Sequence, residues 1–445
     1  MAMIRPETEM KDSGIEWIGD IPSNWETTPL KKIVVDRAGG AWGNEPYENN
    51  STICMRIADF DFDRGVFQDK SETELTKRSY KEYQIDKLLL QTNDICIEKS
   101  GGGEKTPVGR AVLFDKPYDA LFANFMDRIR VDNAVSFPKY VEYYLRAMYF
   151  LSVTTLYIKQ TTGIQNLNVT SLLEKEVITL PSLSEQQAIA DYLDETCSKI
   201  DEIIAEAKAS IDEYKELKQS VIDKFVLHGL CNGMMKDSGN DLIGKIPLSW
   251  EMCKLKYVAD FNPSITIVYD AQREVGYVPM NCVKNGYMNP LSARLSDMST
   301  GLTGFQDGDI VMAKVTPCFE NGNIAIAENL EQGVAFGSSE LFVIRTHSIN
   351  RRFMLYYLQN SVFKNQCIST MTGTGGLKRV SGYFVNNAYI TYPPENEQQV
   401  IADYLDNKVV ELDSLINEKQ SLINDLEAYK KSLIYEVVTG KRRVV

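Results

Sequence analysis

The chain has 445 residues, of which 44% are hydrophobic and 24% are charged, and its formal net charge at pH 7 is −13. This length predicts about three structural units, and no apolar run approaches the roughly 20 residues that span a bilayer. The acidic balance argues at first against nucleic acid, which binds basic surfaces. Much of the acid excess, however, lies in two segments, with 11 acids and 5 bases in residues 185–228 and 10 acids and 7 bases in residues 395–443. The blocks between them remain free to carry basic loops.

Cysteine usage and the first residues indicate the compartment. The eight cysteines are scattered singly without a Cys-x-x-Cys pair, and there are only two histidines. We therefore expect neither a disulfide framework nor a zinc site, and a reducing cytoplasm is the natural location. Residues 1–10 lack the apolar core of a signal peptide, so we expect none there. Because no apolar run is long enough to span a bilayer, we also expect no membrane association.

Two pairs of near-identical segments show that the chain repeats itself. Residues 10–14 (Met-Lys-Asp-Ser-Gly) return at 235–239, and the decapeptide 185–194 returns at 397–406 with nine of ten residues unchanged. The period of about 220 residues is too long for a solenoid. We interpret it as a tandem duplication with pseudo-two-fold symmetry.

The duplication predicts an α+β fold, in which two mixed α/β blocks are separated by two long antiparallel coiled-coil helices. Apolar runs at 94–97 and 309–312 indicate buried strands inside the blocks. The predicted boundaries are an N-terminal motif at 1–25, a first block at 26–180, a first spacer helix at 181–229, a linker with the repeated motif at 230–250, a second block at 251–394 and a second spacer helix at 395–445.

Each spacer helix carries start and stop signals. Ser184 with Gln187, and Asn396 with Gln399, fit the capping-box pattern. A glycine follows each helical pattern, at 229 and 440, where a left-handed residue would end the helix.

The apolar residues of the two spacer helices step by three and four, which predicts a helix–helix seam. The predicted seam consists of Ile200, Ile203, Ala207, Tyr214, Leu217 and Val221 in the first helix and of Leu412, Leu415, Leu422, Leu426, Tyr429 and Leu433 in the second. Ile204, Ile211, Ile416 and Ile423 would widen this stripe.

Connectivity predicts the direction of the helices. Only about 20 residues separate the end of the first helix from the second block, so the two blocks should lie at opposite ends of that helix. A second helix that packs along the first must then run back antiparallel to it. This arrangement also places the two chain termini near each other.

Enzyme motifs are not evident. Residues 100–106 resemble a P-loop, but Glu104 occupies the place of the glycine before the lysine. His228 and His347 stand alone, and the carboxylates show no paired pattern. We therefore expect no catalytic residues, no bound metal and no cofactor held by this chain.

Two pairs of polar loops are candidate nucleic-acid contacts. In the first pair, strands ending at Lys99 and Lys314 lead into polar loops, which suits a phosphate-positioning lysine beside base-reading groups. In the second pair, Thr/Gly-rich loops precede each spacer helix, and Gly376 to Arg379 align with Ile164 to Leu167 at the offset of the helices. The candidate DNA-binding residues are Lys99, Ser100, Gly102, Lys105, Thr162, Gly163, Gln165, Asn166, Lys314, Thr316, Asn321, Thr374, Lys378 and Arg379. Ordinary hairpins with solvent-exposed lysines remain the alternative for both pairs.

Four features together resemble the DNA specificity subunits of type I restriction–modification systems. They are the Lys-Asp-Ser-Gly…Ile-Gly-x-Ile-Pro…Trp motif at 11–25 and 236–250, the Thr-Gly-Ile-Gln-Asn-Leu loop at 162–167, the Thr-Pro-Cys-Phe-Glu-Asn-Gly loop at 316–322, and the two Glu-Gln-Gln helix starts.

The resemblance implies a non-catalytic subunit with two variable target-recognition domains, which reads a bipartite site in double-stranded DNA. It also implies assembly with two modification (methyltransferase) subunits and with ATP-dependent restriction subunits. S-adenosylmethionine, ATP and Mg would then be bound by those partners.

Two other functions remain open at this point. A coiled-coil scaffold that binds only proteins would account for the helices and their acidity, but less well for two diverged blocks with lysine-ended strands. A nuclease or ATPase that acts alone is the third alternative, without a motif to support it.

Overall fold

The structure is a computed structural model that describes residues 3–47, 51–161, 163–230, 233–266, 270, 272–374 and 376–444. The chain divides into two compact units, Met1–Lys208 with Gln420–Val445, and Ala209–Lys419. Each unit combines a mixed α/β block with segments of both long helices, so the predicted α+β class is confirmed. The α-helices of the described residues are α1 (Glu82–Leu88), α2 (Pro138–Phe150), α3 (Val169–Lys175), α4 (Leu183–His228), α5 (Arg351–Gln359), α6 (Ser361–Ser369), α7 (Gly382–Asn387) and α8 (Glu395–Val438).

The first unit is built around a six-stranded sheet that is antiparallel except where Leu113 pairs with Val66. Its strands, in spatial order, are Val34–Gly39, Met126–Val131, Ile95–Glu98, Ala111–Leu113, Val66–Phe67 and Phe60–Asp61. Two three-stranded sheets accompany it, Ser100–Gly101 with Ile164–Leu167 and Ile158–Thr161, and Ala120–Phe122 with Thr52–Met55 and Lys77–Arg78. Two-stranded pairs are Glu26–Pro29 with Val177–Leu180, Met10–Asp12 with Asp20–Pro22, and Met3–Ile4 with Arg442–Arg443.

The second unit contains two four-stranded sheets. The first consists of Ala259–Phe261, Leu341–Thr346, Ile310–Ala313 and Ile324–Ile326, and the second of Leu291–Arg294, Glu274–Val278, Val334–Gly337 and Thr303–Gln306. Two-stranded pairs are Glu251–Lys254 with Tyr389–Tyr392, Met235–Asp237 with Lys245–Pro247, and Thr372–Thr374 with Leu377–Arg379. Its larger core packs the first of these sheets and α5 against α4 and α8 around Trp250.

The long helices begin earlier than predicted, so the predicted capping boxes are wrong. Ser184 lies inside α4, and the hydroxyl of Ser182 accepts the amide hydrogen bond of Glu185 at 3.3 Å. Asn396 likewise lies inside α8, which follows Pro394 directly. A proline lies shortly before each helix, Pro181 before α4 and Pro394 before α8.

In the first unit the two long helices run antiparallel, as predicted. The indole of Trp25 donates to Glu185 in the first turn of α4 at 3.1 Å, and a Cβ added to Gly440 would lie 3.0 Å from the same ring. Ten residues before Gly440, Lys430 binds Asp201 at 2.6 Å. Residue numbers therefore decrease along α8 as they increase along α4, so the two helices are antiparallel.

The second unit shows the same direction with other residues. The rings of Phe225 and Tyr404 pack with their centroids 4.6 Å apart, and Lys218 binds Asp413 at 2.8 Å. Both turn glycines that follow the helices, Gly229 and Gly440, have φ of 75°. This left-handed backbone favours glycine and confirms the predicted helix ends.

The buried stripe of α4 has a different phase from the predicted seam. Its residues step by four and three through Leu193, Cys197, Ile200, Ile204, Ala207 and Ile211, all of them buried. Four predicted seam residues are instead exposed, Ile203 (44%), Leu217 (45%), Leu422 (38%) and Tyr429 (44%). The adjacent pairs 203–204 and 422–423 both fit a spacing of three and four, and the second residue of each pair, an isoleucine, takes the buried position.

Other predicted seam positions lie within or beside the buried stripe. Ile200, Ala207, Leu412 and Leu433 are buried, and Tyr214, Val221, Leu415 and Leu426 are partly buried. Within the described residues no helix has both the length and the apolar character needed to cross a bilayer.

The chain ends meet in the first unit, as connectivity predicted. Met3 pairs with Arg443 and Ile4 with Arg442 in an antiparallel ladder. The Arg5 side chain extends this contact to Glu185 at 3.0 Å. The two terminal segments therefore pair with each other and are linked to the start of α4 through Arg5.

Candidate nucleic-acid interface

In the first unit, the structure joins the two candidate loops into one sheet. Ser100 pairs with Asn166 and Gly101 with Gln165, while the Ile158–Thr161 strand completes the hairpin. Lys99 lies at the junction, where its carbonyl accepts a hydrogen bond from the amide of Leu167 at 2.7 Å. The two loops that the sequence presented as separate are therefore one surface.

Polar side chains of this hairpin are partly engaged inside the chain. The Ser100 hydroxyl donates to Asn166 Oδ1 at 2.7 Å. Gln165 is only 8% exposed, and its Oε1 accepts the Val108 amide at 3.2 Å. The predicted base-reading role of Gln165 therefore disagrees with its position, because strand alternation turns this residue inward between the exposed Ile164 and Asn166.

Lys99 also has an internal partner. Its Nζ lies 2.7 Å from the carboxylate of Asp127, which is 1% exposed and also accepts a hydrogen bond from Arg37 at 2.8 Å. Two cations thus compensate a carboxylate that would be costly to bury alone. Lys99 holds the loop base in place, and a phosphate contact there would share a lysine that is already paired.

The remaining candidates of the first unit lie at the surface or in tight turns. Lys105 is exposed. Gly102 has φ of 58°, and a Cβ there would lie 2.9 Å from Val108, so the turn depends on glycine. Gly163 forms the hairpin turn with φ of 84°. Thr162 lies outside the described residues.

The second unit builds the corresponding surface. The carbonyl of Lys314 accepts a hydrogen bond from the amide of Val380 at 2.8 Å, as Lys99 does from Leu167. Thr316 ties the strand end to the Thr372–Arg379 hairpin, because its hydroxyl donates to the Gly376 carbonyl at 2.7 Å and accepts the Lys378 amide at 2.9 Å. Thr374 and Lys378 are exposed on this hairpin.

Arg379 is held by a carboxylate of its own unit. Its Nε and one terminal nitrogen both donate to Glu340 at 2.8 Å. This two-point hydrogen bond lowers the pKa of Glu340. The ion pair with Glu340 therefore fixes the hairpin strand at Arg379, although half of the Arg379 side chain remains exposed.

Strand pairing corrects the alignment of the two hairpins by one residue. The turn glycine with φ of 84° is Gly163, and its counterpart with φ of 82° is Gly376. Leu377 therefore corresponds to Ile164, Lys378 to Gln165 and Arg379 to Asn166. The alignment predicted from the offset of the two helices is therefore wrong by one residue. The Thr-Gly repeats of the second loop fit more than one alignment, so they do not define the register.

Asn321 belongs to a different surface of the second unit. The backbone amide of Asn321 donates to the Pro317 carbonyl at 2.9 Å. It lines a cavity of about 610 Å³ with Lys218 and Lys364, and Lys378 is not among the lining residues. Asn321 is therefore grouped with α4 and α6 rather than with the hairpin.

Sequence reasoning missed the side chains that stiffen both sheets. Arg130 holds the buried Asp94 at 2.7 and 2.8 Å, and Arg345 holds the buried Asp309 at the same two distances. Each pair raises the pKa of its arginine through the hydrogen bonds. The two arginines share the 215-residue offset of the aspartates, a signal that could have found them.

Two diverged hairpins, each hydrogen-bonded to a lysine that directly follows a buried strand and carried by a duplicated α+β unit with long antiparallel helices, define a class of paired recognition modules. A family model described as the type I restriction modification DNA specificity domain matches residues 22–213 and 247–425. The chain belongs to this family.

Curated relatives share this family description. The chain is 35% identical to the EcoAI specificity subunit of Escherichia coli over 192 residues, which are 42% of this chain and 32% of that subunit. The match therefore spans about a third of the length of that relative. The MjaVIII specificity subunit of Methanocaldococcus jannaschii is 24% identical over 80% of this chain and 81% of its own length.

Solved structures show the same fold at low identity. A chain from a study of complex assembly and conformational transition in the type I R-M system has a TM-score of 0.70 at 14% identity, covering 95% of this chain and 99% of that one. The HsdS subunit from Thermoanaerobacter tengcongensis has a TM-score of 0.53 at 15% identity, with coverage of 95% and 98%.

Proposed function

We propose that the chain is the non-catalytic specificity subunit of a type I restriction–modification complex. In this role it reads a bipartite target in double-stranded DNA, one half with each unit, and directs methyltransferase and restriction subunits to that target. The observation that carries the proposal is the repeated hairpin, which has one backbone design and different side chains in the two units.

The hairpin design suits sequence reading. A two-stranded ribbon fits the major groove, where every base pair displays a distinct pattern of donors, acceptors and methyl groups. Anchoring at Lys99 and Lys314 fixes the backbone of each ribbon. Changing the ribbon's side chains then changes the bases that are read while the scaffold stays the same.

Local charge supports DNA contact despite the acidic total. Exposed lysines lie on or beside the hairpins, at Lys105 and Lys159 in the first unit and at Lys378 in the second. Such side chains neutralise phosphates and position the protein without reading sequence. Much of the acid excess lies on the long helices, which we assign to protein partners.

The partners and cofactors follow from this role. Two modification subunits would bind S-adenosylmethionine, and restriction subunits would bind ATP and Mg, all in the cytoplasm. Several relatives are named specificity subunits of type I restriction enzymes, which agrees with this division of work. Among the described residues no cluster of three or more His, Cys, Asp or Glu could hold a metal ion.

A salt titration tests the hairpin assignment. Binding of the chain and its methyltransferase partner to duplex DNA is measured by fluorescence anisotropy at several salt concentrations. Lys378→Ala should weaken binding and lower the salt slope by about one, because one phosphate contact is lost. Lys256→Ala is the matched control, since Lys256 is also exposed in the second unit but lies outside the hairpin.

The outcomes separate the alternatives. Equal slopes for the wild type and both variants would exclude Lys378 from the DNA interface. Assembly with the methyltransferase without any DNA binding would favour a protein scaffold instead.

A further inference from the structure

An aliphatic side chain occupies the same place at the tip of both hairpins. Ile164 follows the turn residue Gly163, and Leu377 follows its counterpart Gly376. Their exposed fractions are 51% and 55%. The neighbouring positions diverge, with Gln165 against Lys378 and Asn166 against Arg379, but the tip residue is a branched aliphatic in both copies.

One polar side chain behind each tip is already hydrogen-bonded within the chain. On the first hairpin Asn166 accepts from Ser100, and on the second Arg379 binds Glu340. The tip residues have no hydrogen-bonding group to be satisfied in this way. Their methyl groups therefore form exposed apolar surface beside the turn of each ribbon.

We propose that Ile164 and Leu377 contact the C5-methyl group of thymine in the major groove, one in each half-site. This proposal rests on the proposed function. The thymine methyl is the apolar feature of major-groove base edges, and aliphatic contact with it discriminates between bases. The exposed lysines beside the tips, Lys159 and Lys378, complement the phosphates on either side of such a contact.

The magnitude of the effect follows from one methyl group. Removing about one buried CH₂ or CH₃ equivalent changes affinity by about fourfold, from ~0.8 kcal/mol at 1.36 kcal/mol per tenfold. Replacing thymine by deoxyuridine removes this methyl group and leaves every hydrogen-bonding group of the base unchanged. The substitution therefore isolates the proposed contact.

The experiment combines the base change with a protein change. The complex of the full chain with its methyltransferase partner is bound to its target duplex, in which each thymine is replaced in turn by deoxyuridine. We expect one position in each half-site to weaken wild-type binding about fourfold. Ile164→Ala should abolish the deoxyuridine effect in one half-site, and Leu377→Ala should abolish it in the other.

Two matched controls lie outside the hairpins. Val35→Ala and Leu291→Ala remove aliphatic side chains that are 60% and 53% exposed in the first and second units. Both control variants should keep the full deoxyuridine effect. Size-exclusion chromatography of each complex establishes that the partner still assembles.

Three outcomes decide the proposal. If deoxyuridine weakens binding by the same factor in the Ile164→Ala complex as in the wild-type complex, the proposal is overturned. A target in which no replacement of thymine by deoxyuridine weakens binding would also overturn it. If the Ile164→Ala chain fails to assemble with the methyltransferase, the hairpin tip contacts that partner and not DNA, and the proposal is likewise overturned. Absence of sequence-specific binding by the wild-type complex would instead contradict the proposed function itself.

Discussion

Lys430, near the end of α8, binds both carboxylate oxygens of Asp201 on α4, at 2.6 and 2.7 Å. Its ammonium also donates to the carbonyl of Asp63 in the α/β block at 2.6 Å. One lysine therefore connects three segments of the first unit. In the second unit, Lys218 binds Asp413 at 2.8 Å, and each residue of this pair lies 212 positions from its counterpart.

The two lysines should differ in their contribution to stability. Lys430 is 9% exposed and Lys218 is 19% exposed, while their aspartates are 26% and 46% exposed. Lys430→Met should cost about 1–3 kcal/mol, because it leaves Asp201 and the Asp63 carbonyl without this donor. Lys218→Met should cost less, about 0–1 kcal/mol, because solvent screens the more exposed pair.

Urea unfolding of the two variants measures this difference, with Lys199→Met as the control for an exposed pair on α4. Equal destabilisation by Lys430→Met and Lys199→Met would contradict the linking role of Lys430.

The two turn glycines give a second comparison within the chain. Gly440 and Gly229 both have φ of 75°, but a Cβ on Gly440 would overlap the Pro22 ring, whereas on Gly229 it would stay 3.0 Å from Trp250. Alanine at either position is strained by the backbone angle, and only Gly440→Ala adds a severe clash. We expect a cost of about 1 kcal/mol for Gly229→Ala and of more than about 2 kcal/mol for Gly440→Ala. Thermal melting of both variants checks the order, and the reverse order would refute this packing.

Arg379 and Glu340 should act together on one half-site. Because hydrogen bonding to Arg379 lowers the pKa of Glu340, the pair stabilises the hairpin above the ordinary glutamate pKa. This contribution disappears as the pH falls through the lowered value. Arg379→Ala and Glu340→Gln should both weaken recognition of the same half-site and leave the other unchanged.

Methylation of targets altered in one half at a time measures this effect. Loss with Arg379→Ala but normal reading with Glu340→Gln would show that Arg379 contacts DNA directly and does not act through Glu340.

Helix length should set the gap between the two half-sites. This prediction depends on the sequence-based placement of the blocks at opposite ends of the first spacer helix. Inserting four residues, about one turn, into both 200–221 and 412–433 would advance one block by about 6 Å, near two base-pair rises. A methylation map should then show a longer gap with unchanged half-sites. Glu202→Ala is an exposed control in the same segment without a length change, and an unchanged gap in the insertion variant would refute the prediction.

Repetition made much of the fold predictable from the sequence. The duplicated decapeptides located the helix starts to within two residues, and Gly229 and Gly440 located their ends. The meeting of the termini followed from connectivity alone. These features depend on local signals and on chain length, which one sequence contains.

The remaining details depend on contacts between distant residues. Ile203 and Ile204 are equally apolar, so only packing decides which is buried. Gln165 and Asn166 are similar amides, yet strand pairing with Ser100 turns one inward and the other outward. The ion pair between Lys99 and Asp127 joins the residue after one strand to a residue of another strand, and no spacing in the sequence predicts it.

The reading of DNA by the two hairpins is tested by methylation sequencing of DNA from cells that express the chain with its methyltransferase partner. If each unit reads one half-site, methylation should fall at a bipartite sequence of two short half-sites separated by a fixed gap. Variants in the 158–167 hairpin should alter one half, and variants in the 372–379 hairpin should alter the other. Methylation that does not depend on this chain, or a methylated motif that hairpin variants leave unchanged, would contradict sequence reading by the hairpins.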